Sequence, residues 1–262
     1  MGAVSHAERV GKGAWRLAHL AIWRLARPSP QHPLRRPHPR IDLLPGKGGA
    51  MLGTFSEQIK PTAEERAMNI TVYCGSNFGD NPHFEEAARN LGAWIARAGH
   101  ALVYGGSSVG LMGAVSRAAI EGGAPVIGVE PAFFIEAGVA QHDLTELIVC
   151  DTMGERKAKM IELGDAFVAL PGGVGTLEEI SEIFTRVRLD MGPHECFLLN
   201  IDGFYDPLRS FLESMVEHRF FDQCDLDRCH FPRSVEELAR LLSTADTRRT
   251  IRCDGPLLQK AG

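Results

Sequence analysis

Residues 166–187 read AFVALPGGVGTLEEISEIFTRV, and this stretch decides the fold of the chain. Its first five residues are a short apolar run, which is typical of a strand buried on both faces of a parallel sheet. Its last part repeats apolar residues every three or four positions, as an amphipathic helix does. A glycine-rich loop joins the two. Strand, loop and helix N-terminus together predict an anion site, because the glycines bring backbone N–H groups close to a ligand and the helix dipole favours negative charge.

Two polar residues follow the glycines of this loop. Thr176 is predicted either to cap the helix or to turn its hydroxyl toward a phosphate oxygen. Glu179 is then expected in the first helical turn, on the rim of the same pocket. The alternative for this pair is a capping box, in which the glutamate reaches back to the backbone N–H of the threonine. Since a capping box does not need three glycines, the loop favours a functional carboxylate at Glu179.

Strands and helices alternate on both sides of this stretch. Apolar runs predict strands at 70–74, 101–104, 125–129, 147–149, 166–170 and 196–200. Helical periodicity predicts helices at 84–98, 111–121, 153–164, 205–218 and 234–242, in addition to the one that follows the glycine loop. This alternation predicts an α/β fold: a Rossmann-like, doubly wound parallel sheet with helices on both faces.

Ligands of such sheets bind beyond the carboxyl ends of the strands, where the strand order reverses. The loops after Cys74, Tyr104 and Leu170 are expected to meet there. The first carries Gly75 and Ser76, and the second reads GGSSVGLMG, with candidate ligand contacts at Gly105, Gly106, Gly110, Met112 and Gly113. Together the three loops predict one phosphorylated ligand held mostly by backbone. Neither glycine loop matches the dinucleotide or P-loop pattern, and Gly105-Gly106 alone is equally consistent with a tight exit from a strand.

The predicted helix at 153–164 carries Arg156 near its start, on the side where the loops open. An arginine there can clamp a base or a phosphate. The alternative is a solvated charge, or a salt bridge to Glu155 or Glu162. Spacing alone leaves both interpretations open.

Three motifs, in this order, resemble the LOG ("Lonely guy") family: GGxxxGxMG at 105–113, RKxxM at 156–160 and PGGxGTxxE at 171–179. Members of this family are cytokinin riboside 5′-monophosphate phosphoribohydrolases, long mislabelled as lysine decarboxylases. The resemblance covers about residues 69–242. It implies a Rossmann-like homodimer that hydrolyses the N-glycosidic bond of a purine nucleoside 5′-monophosphate, with neither a metal nor a cofactor.

The resemblance also implies roles for single residues. Arg156 and Glu179 match the catalytic pair, in which the carboxylate stabilises an oxocarbenium-like sugar and accepts a proton from water. At a helix N-terminus Glu179 is expected to favour its ionised form. The phosphate loop is matched by Gly172, Gly173, Gly175 and Thr176, and the nucleotide-site motif by Lys157 and Met160. Ser107, Gly154 and Val174 depart from the usual pattern, which bears on substrate choice more than on chemistry.

The two ends of the chain differ from its middle. The first 60 residues hold ten Lys and Arg against three acids, whereas the whole chain has a net charge of −5. We expect a basic, disordered extension at 1–68, a catalytic domain at 69–245 and a polar tail at 246–262. The acidic body predicts no binding of nucleic acid, and no apolar run is long enough to span a bilayer. A cytoplasmic enzyme is expected, with an organelle presequence within residues 1–60 as the alternative.

Six cysteines are scattered without a C-x-x-C motif, which predicts reduced thiols. Cys224, Cys229 and His230 are too few ligands for zinc, so no metal site is predicted. The alternative function is a non-catalytic nucleotide or cofactor carrier of the same fold, which would not require Arg156 and Glu179 together. A pyridoxal-phosphate decarboxylase would need a Schiff-base lysine and an acidic partner for the pyridine nitrogen, and neither Lys157 nor Lys159 has that setting.

Overall fold

The computed structural model describes residues 67–244. The expectations for the basic extension, up to residue 66, and for the polar tail lie outside the described residues. Within residues 67–244, no helix is both long and apolar enough to cross a membrane.

Seven parallel strands form one sheet, in the order β4-β3-β2-β1-β5-β6-β7. The strands are β1 (Asn69–Tyr73), β2 (Ala101–Tyr104), β3 (Val126–Pro131), β4 (Glu146–Cys150), β5 (Ala166–Ala169), β6 (Cys196–Leu198) and β7 (Cys229–His230). In β1 and β5 nearly every residue is buried, as expected for strands covered on both faces. The predicted Rossmann-like, doubly wound parallel sheet is therefore confirmed.

Helices cover both faces of this sheet. They are α1 (Pro82–Arg97), α2 (Gly110–Glu121), α3 (Ala132–Glu136), α4 (Met153–Leu163), α5 (Val174–Arg188), α6 (Asp206–Glu217), α7 (Gln223–Leu226) and α8 (Val235–Thr244), with a short 3₁₀ helix at Ile201–Gly203. One core cluster joins α1, α2 and α8 to one face, and the other joins α4, α5 and α6 to the opposite face. Alternate residues of β1, such as Val72 and Tyr73, enter opposite clusters because successive strand side chains point to opposite faces.

The strand order reverses between β1 and β5, which pair directly in parallel register. The loops that follow these two strands are therefore neighbours, and the backbone N–H of Gly75 donates to the carbonyl of Pro171 at 3.1 Å. The carbonyl of Gly75 accepts from the N–H of Leu111, at the start of α2, also at 3.1 Å. The three loops that the sequence places at this edge do meet there.

Element boundaries differ from the sequence-based prediction at three points. Strand β3 continues past Val129 and includes Glu130. The short elements α3, α7 and β7 were not predicted, because two to five residues are too few to establish a periodicity. Helix α5 begins at Val174, two residues before the predicted threonine cap.

The cysteines do not all follow the prediction. Cys74, Cys150, Cys196 and Cys229 are free thiols. Cys224 is disulfide-bonded, so the expectation of reduced thiols throughout is wrong at that position.

Candidate active site

The glycine loop after β5 leads into a helix start without a side-chain cap. Gly173 is the N-cap residue of α5, and Thr176 is the third residue of the helix, so the predicted threonine cap is wrong. Glu179 is the sixth residue, in the second turn rather than the first. Gly173, Val174 and Gly175 are exposed. Because the first N–H groups of a helix have no intrahelical acceptor, this exposed turn offers open donors to an anion.

The same loop is packed against its neighbours through glycines. A Cβ on Gly75 would lie 3.3 Å from Cα of Gly172, and a Cβ on Gly172 would overlap the hydroxyl of Thr176. Gly110, at the start of α2, has a φ of +56°, and a Cβ there would overlap the backbone of Ser76. Close approach of backbone to backbone thus brings three of the predicted ligand-binding segments together at one edge of the sheet.

Arg156 lies in the first turn of α4, whose N-terminus is capped by Thr152: its hydroxyl oxygen accepts from the N–H of Glu155 at 3.1 Å. The Arg156 side chain bonds to the backbone of two neighbouring strand segments. Its Nε donates to the carbonyl of Val129 at 3.0 Å, and its Nη2 donates to the carbonyl of Gly105 at 3.1 Å. The predicted alternative, a salt bridge to Glu155 or Glu162, is not what the structure shows.

The remaining contact of the guanidinium is with Glu179. Nη1 of Arg156 donates to Oε1 of Glu179 at 3.3 Å, and each side chain is only 9% exposed. The two residues that the sequence singled out therefore form one buried ion pair. The capping-box alternative for Glu179 is excluded, since Thr176 is not the N-cap and the carboxylate faces Arg156.

Burial raises the pKa of Glu179 to about 7, although the Arg156 charge beside it lowers that pKa. The sequence-based expectation of a carboxyl held in its ionised form is therefore wrong. That expectation relied on the helix dipole, which stabilises a carboxylate in the first turn. Glu179 lies one turn further into the helix, where the loss of hydration on burial outweighs the effect of the dipole on its pKa. A carboxyl that titrates near neutral pH can both give and accept a proton, which suits acid–base chemistry.

Gly105 and Gly106 are buried and serve packing. A Cβ on Gly105 would overlap the guanidinium of Arg156. Gly106 has a φ of +82°, and a Cβ there would lie 2.8 Å from Cβ of Glu130. The segment after α3 also holds this loop in place, since the N–H of Ser108 donates to the carbonyl of Val139 at 2.8 Å. For this glycine pair the tight strand exit describes the geometry better than an open phosphate cradle.

The other predicted site residues take supporting positions. Met160 is 1% exposed and packs in the core beneath the sheet. Lys157 pairs with Glu178 and, at 3.0 Å, with Glu182, so it ties α4 to α5. Met112 is half-buried and places its sulfur beside Gly105, near the guanidinium. Gly113 packs against the carbonyl of Ser108.

Glu130 is a residue of this region that the sequence reasoning missed. It is the next-to-last residue of β3, is 1% exposed, and its Oε2 has no hydrogen-bond partner among the described residues. Burial raises its pKa to about 7, against the lowering effect of Arg156. An acidic residue within an apolar strand pattern was the available signal, but the predicted strand ended one residue earlier. In the described part of the chain, no group of three His, Cys, Asp or Glu side chains is arranged to hold a metal ion.

Comparison with known proteins gives consistent matches. Residues 112–242 match a family model described as "Possible lysine decarboxylase". The chain is 41% identical over 184 residues to the cytokinin riboside 5′-monophosphate phosphoribohydrolase of Rhodococcoides fascians, covering 70% of this chain and 91% of that protein. It is 40% identical over 186 residues to the cytokinin riboside 5′-monophosphate phosphoribohydrolase LOG of Oryza sativa subsp. japonica, covering 71% of this chain and 72% of that protein.

Solved structures agree in fold. The molybdenum cofactor carrier protein of Chlamydomonas reinhardtii superposes with a TM-score of 0.53 and 22% identity, over 68% of this chain and 97% of that one. At this identity the likeness shows the fold alone. The sequence relatives are far closer, and one of them is matched over nearly its whole length. On these similarities, and with the three motifs gathered at one edge of the sheet, the chain belongs to the LOG family of phosphoribohydrolases.

Proposed function

We propose that this protein is a hydrolase that cleaves the N-glycosidic bond of purine nucleoside 5′-monophosphates, including cytokinin nucleotides. The products are the free base and ribose 5-phosphate, as for an AMP nucleosidase. The observation that carries the proposal is the buried Arg156–Glu179 pair beside the uncapped N-terminus of α5. This arrangement combines an anion site with a carboxyl that titrates near neutral pH.

The phosphate would bind at the exposed first turn of α5. The backbone of Gly172, Gly173 and Gly175 and the hydroxyl of Thr176 supply the donors, with Gly75 and Ser76 on the adjoining loop. Binding energy from the phosphate, which does not react, then holds C1′ of the ribose near Glu179. Nucleosides that lack the phosphate lose this positioning and should be poor substrates.

The bond between C1′ and N9 of the purine breaks as a water oxygen bonds to C1′. Ionised Glu179 stabilises the developing positive charge on the ribose and takes one proton from the water. That proton passes on to the departing purine, so the hydroxyl of the water ends on the sugar and its proton on the base. Arg156, which is itself anchored by bonds to the carbonyls of Val129 and Gly105, holds Glu179 in place. Lys157 and Met160 fix α4 against α5 and the sheet.

We also propose a homodimer. Met153 at the start of α4, and Val174 and Leu177 at the start of α5, are exposed apolar side chains, and Val174 is 86% exposed. Exposed apolar side chains favour burial against a second copy. Light scattering coupled to size exclusion would measure the mass, and a monomer would contradict this. Within residues 67–244, four free cysteines favour the reducing cytoplasm as the compartment, whereas the disulfide-bonded Cys224 does not follow that pattern.

Chromatography of the products tests the main proposal. The protein is incubated separately with AMP, with isopentenyl-AMP and with adenosine. Free base and ribose 5-phosphate from the two nucleotides, with adenosine slower by several orders of magnitude in kcat/KM, is the expected result. A protein that binds AMP and leaves it intact would instead be a carrier, the alternative function. Equal rates on AMP and adenosine would contradict the role of the α5 N-terminus.

A further inference from the structure

Glu130 breaks a rule that buried acids usually follow. It is 1% exposed, yet its Oε2 lacks a hydrogen-bond partner within residues 67–244. Burying an ionisable carboxyl without a partner is unfavourable, so such groups are normally paired or removed. An unpaired buried acid whose pKa responds to a buried arginine is therefore a candidate for a functional role.

Glu130 and Arg156 lie on the two sides of one dipeptide. A Cβ on Gly105 would overlap the guanidinium, whereas a Cβ on Gly106 would lie 2.8 Å from Cβ and 3.2 Å from Oε2 of Glu130. Nε of Arg156 also bonds to the carbonyl of Val129, the residue directly before Glu130. Arg156 thus faces Glu179 at one end and the surroundings of Glu130 at the other.

Two titratable side chains on the strands beside β3 respond to the charge of Glu130. Strand β2 contributes the phenol of Tyr104, whose hydroxyl donates to Gln141 at 3.2 Å, and β4 contributes the thiol of Cys150. Burial raises the pKa of both Tyr104 and Cys150, so both stay protonated. Helix α4 contributes Arg156, which lowers the pKa of Glu130 and is the only cation of the described range that acts on it.

We propose that Glu130 is a positioning residue that acts on Glu179 through Arg156, so that the two carboxyl groups share one cation and release their protons in a coupled way. The inference rests on the proposed catalytic role of the Arg156–Glu179 pair. One ionised carboxylate is balanced by the guanidinium, whereas a second one must ionise against the first. Near neutral pH the two carboxyls therefore carry about one negative charge between them.

Carboxyl ¹³C NMR titration of the full chain, labelled on glutamate, tests this coupling without any turnover. In the wild type we expect the Glu179 signal to titrate near neutral pH with a curve broader than that of a single site. In Glu130→Gln the curve should narrow to that of one site, and its midpoint should fall by about 0.5 pH unit, because the removed carboxylate no longer competes with Glu179 for the Arg156 charge. Glu146→Gln, an exposed carboxylate on the neighbouring β4, should change nothing and serves as the control.

Reciprocity supplies a second measurement should Glu130→Gln fold poorly. Coupling between two sites is symmetric, so Glu179→Gln must shift the midpoint of Glu130 by the same amount. In activity, Glu130→Gln should move the rise of kcat with pH to lower pH by the same half unit and leave KM for AMP within about twofold.

Two results would overturn the proposal: an unchanged Glu179 curve in Glu130→Gln, or a Glu130 signal that titrates near pH 4.5 in the wild type. Failure of every variant and of the wild type to cleave AMP would remove the proposed function alone. The carboxyl titrations would still report whether the two acids are coupled.

Discussion

Nη1 of Arg156 donates a hydrogen bond of 3.3 Å to Oε1 of Glu179, and the same guanidinium bonds to the carbonyls of Gly105, directly after β2, and of Val129, within β3. One side chain from α4 therefore fixes a carboxyl of α5 against the end of the sheet. A flexible surface pair would not hold a carboxylate in one place, because exposed ion pairs are weak and mobile. This pair is buried and anchored on backbone, which is the geometry a reacting group needs.

Replacing the carboxyl tests its role directly. Glu179→Gln keeps the shape and can still accept a hydrogen bond from Arg156, but it can neither carry the charge nor accept a proton. We expect kcat for AMP to fall by about 100-fold or more while AMP still binds. Steady-state kinetics and calorimetry of binding are the measurements.

Glu178→Gln is the matched control for this substitution. Glu178 is the preceding residue of the same helix, is exposed, and pairs with Lys157 instead of Arg156. It should retain most of the activity. Normal turnover by Glu179→Gln would remove the central residue of the proposed mechanism.

Arg156→Lys keeps the positive charge and loses the fork of donors. A lysine ammonium cannot reach Val129, Gly105 and Glu179 in the same geometry, so at least one buried carbonyl is left without a donor. We expect the free energy of unfolding to fall by about 2–4 kcal/mol and kcat to fall on the order of 100-fold. Urea unfolding and kinetics measure the two effects.

Arg117→Lys provides the comparison for the arginine substitution. Nη1 of Arg117 makes a single bond of 3.0 Å to the carbonyl of Ser108, away from the ion pair. That variant should lose at most about 1 kcal/mol. Equal losses of stability in Arg156→Lys and Arg117→Lys would show that the three hydrogen bonds of Arg156 stabilise the fold no more than the single bond of Arg117.

The pH dependence of stability follows from the two raised carboxyl pKa values. Glu130 and Glu179 each titrate near 7 in the folded protein, above the ordinary 4.5. Between these values the folded chain holds protons that the unfolded chain has released, so stability is fully present below pH 4.5 and falls as the pH rises to about 7. The loss is at most about 3 kcal/mol per group.

Urea unfolding at pH 5 and pH 8 measures this loss. The free energy of unfolding of Glu130→Gln should change less between the two pH values than that of the wild type. The variant should therefore gain stability relative to the wild type as the pH rises from 5 to 8. If the free energy of unfolding changed equally between pH 5 and pH 8 in the wild type and in Glu130→Gln, Glu130 would not be buried as a neutral acid.

Alanine substitutions at two glycines distinguish the cost of backbone strain from the cost of steric crowding. Gly106 and Gly123 have nearly the same φ, +82° and +83°, but only Gly106 has a neighbour in the way: its Cβ would meet Glu130 at 2.8 Å. Gly123→Ala should cost about 1 kcal/mol, the strain of a left-handed residue. Gly106→Ala should cost a further 1–3 kcal/mol, as overpacking does. If urea unfolding showed the same loss of stability in both variants, the Glu130 side chain would be able to move away from the new methyl group without an energetic cost.

A chain beginning at Met68 should fold and keep its activity. Every proposed site residue lies beyond this point, and the carbonyl of Met68 already accepts from the N–H of Ala101 at 2.9 Å, beside β1. Circular dichroism, light scattering and kcat for AMP compare it with the full chain. Loss of solubility or of activity would mean that the preceding residues contribute to the domain.

The sequence was sufficient to predict six of the seven strands, the longer helices and the two residues of the central pair. Alternating apolar runs and helical periodicity are local properties, and each predicted strand from β1 to β6 is present in the structure. Glycine loops after three strands also predicted a common edge, because parallel strands all end on the same side of the sheet. Arg156 and Glu179 were found from their motifs, and the structure joins them.

Only the tertiary structure decided how these residues are used. Thr152 and Thr176 both precede a glutamate by three residues, yet only Thr152 caps its helix, because Gly173 already occupies the N-cap of α5. Burial raises the pKa values of Glu179 and Glu130, and neither shift could be predicted from the neighbouring sequence. Burial and the partners of a charge depend on residues distant in the chain, here strands β2 and β3 against helices α4 and α5. The local sequence pattern does not contain this information, so the charge state of the site is determined only when the sheet and its helices are assembled.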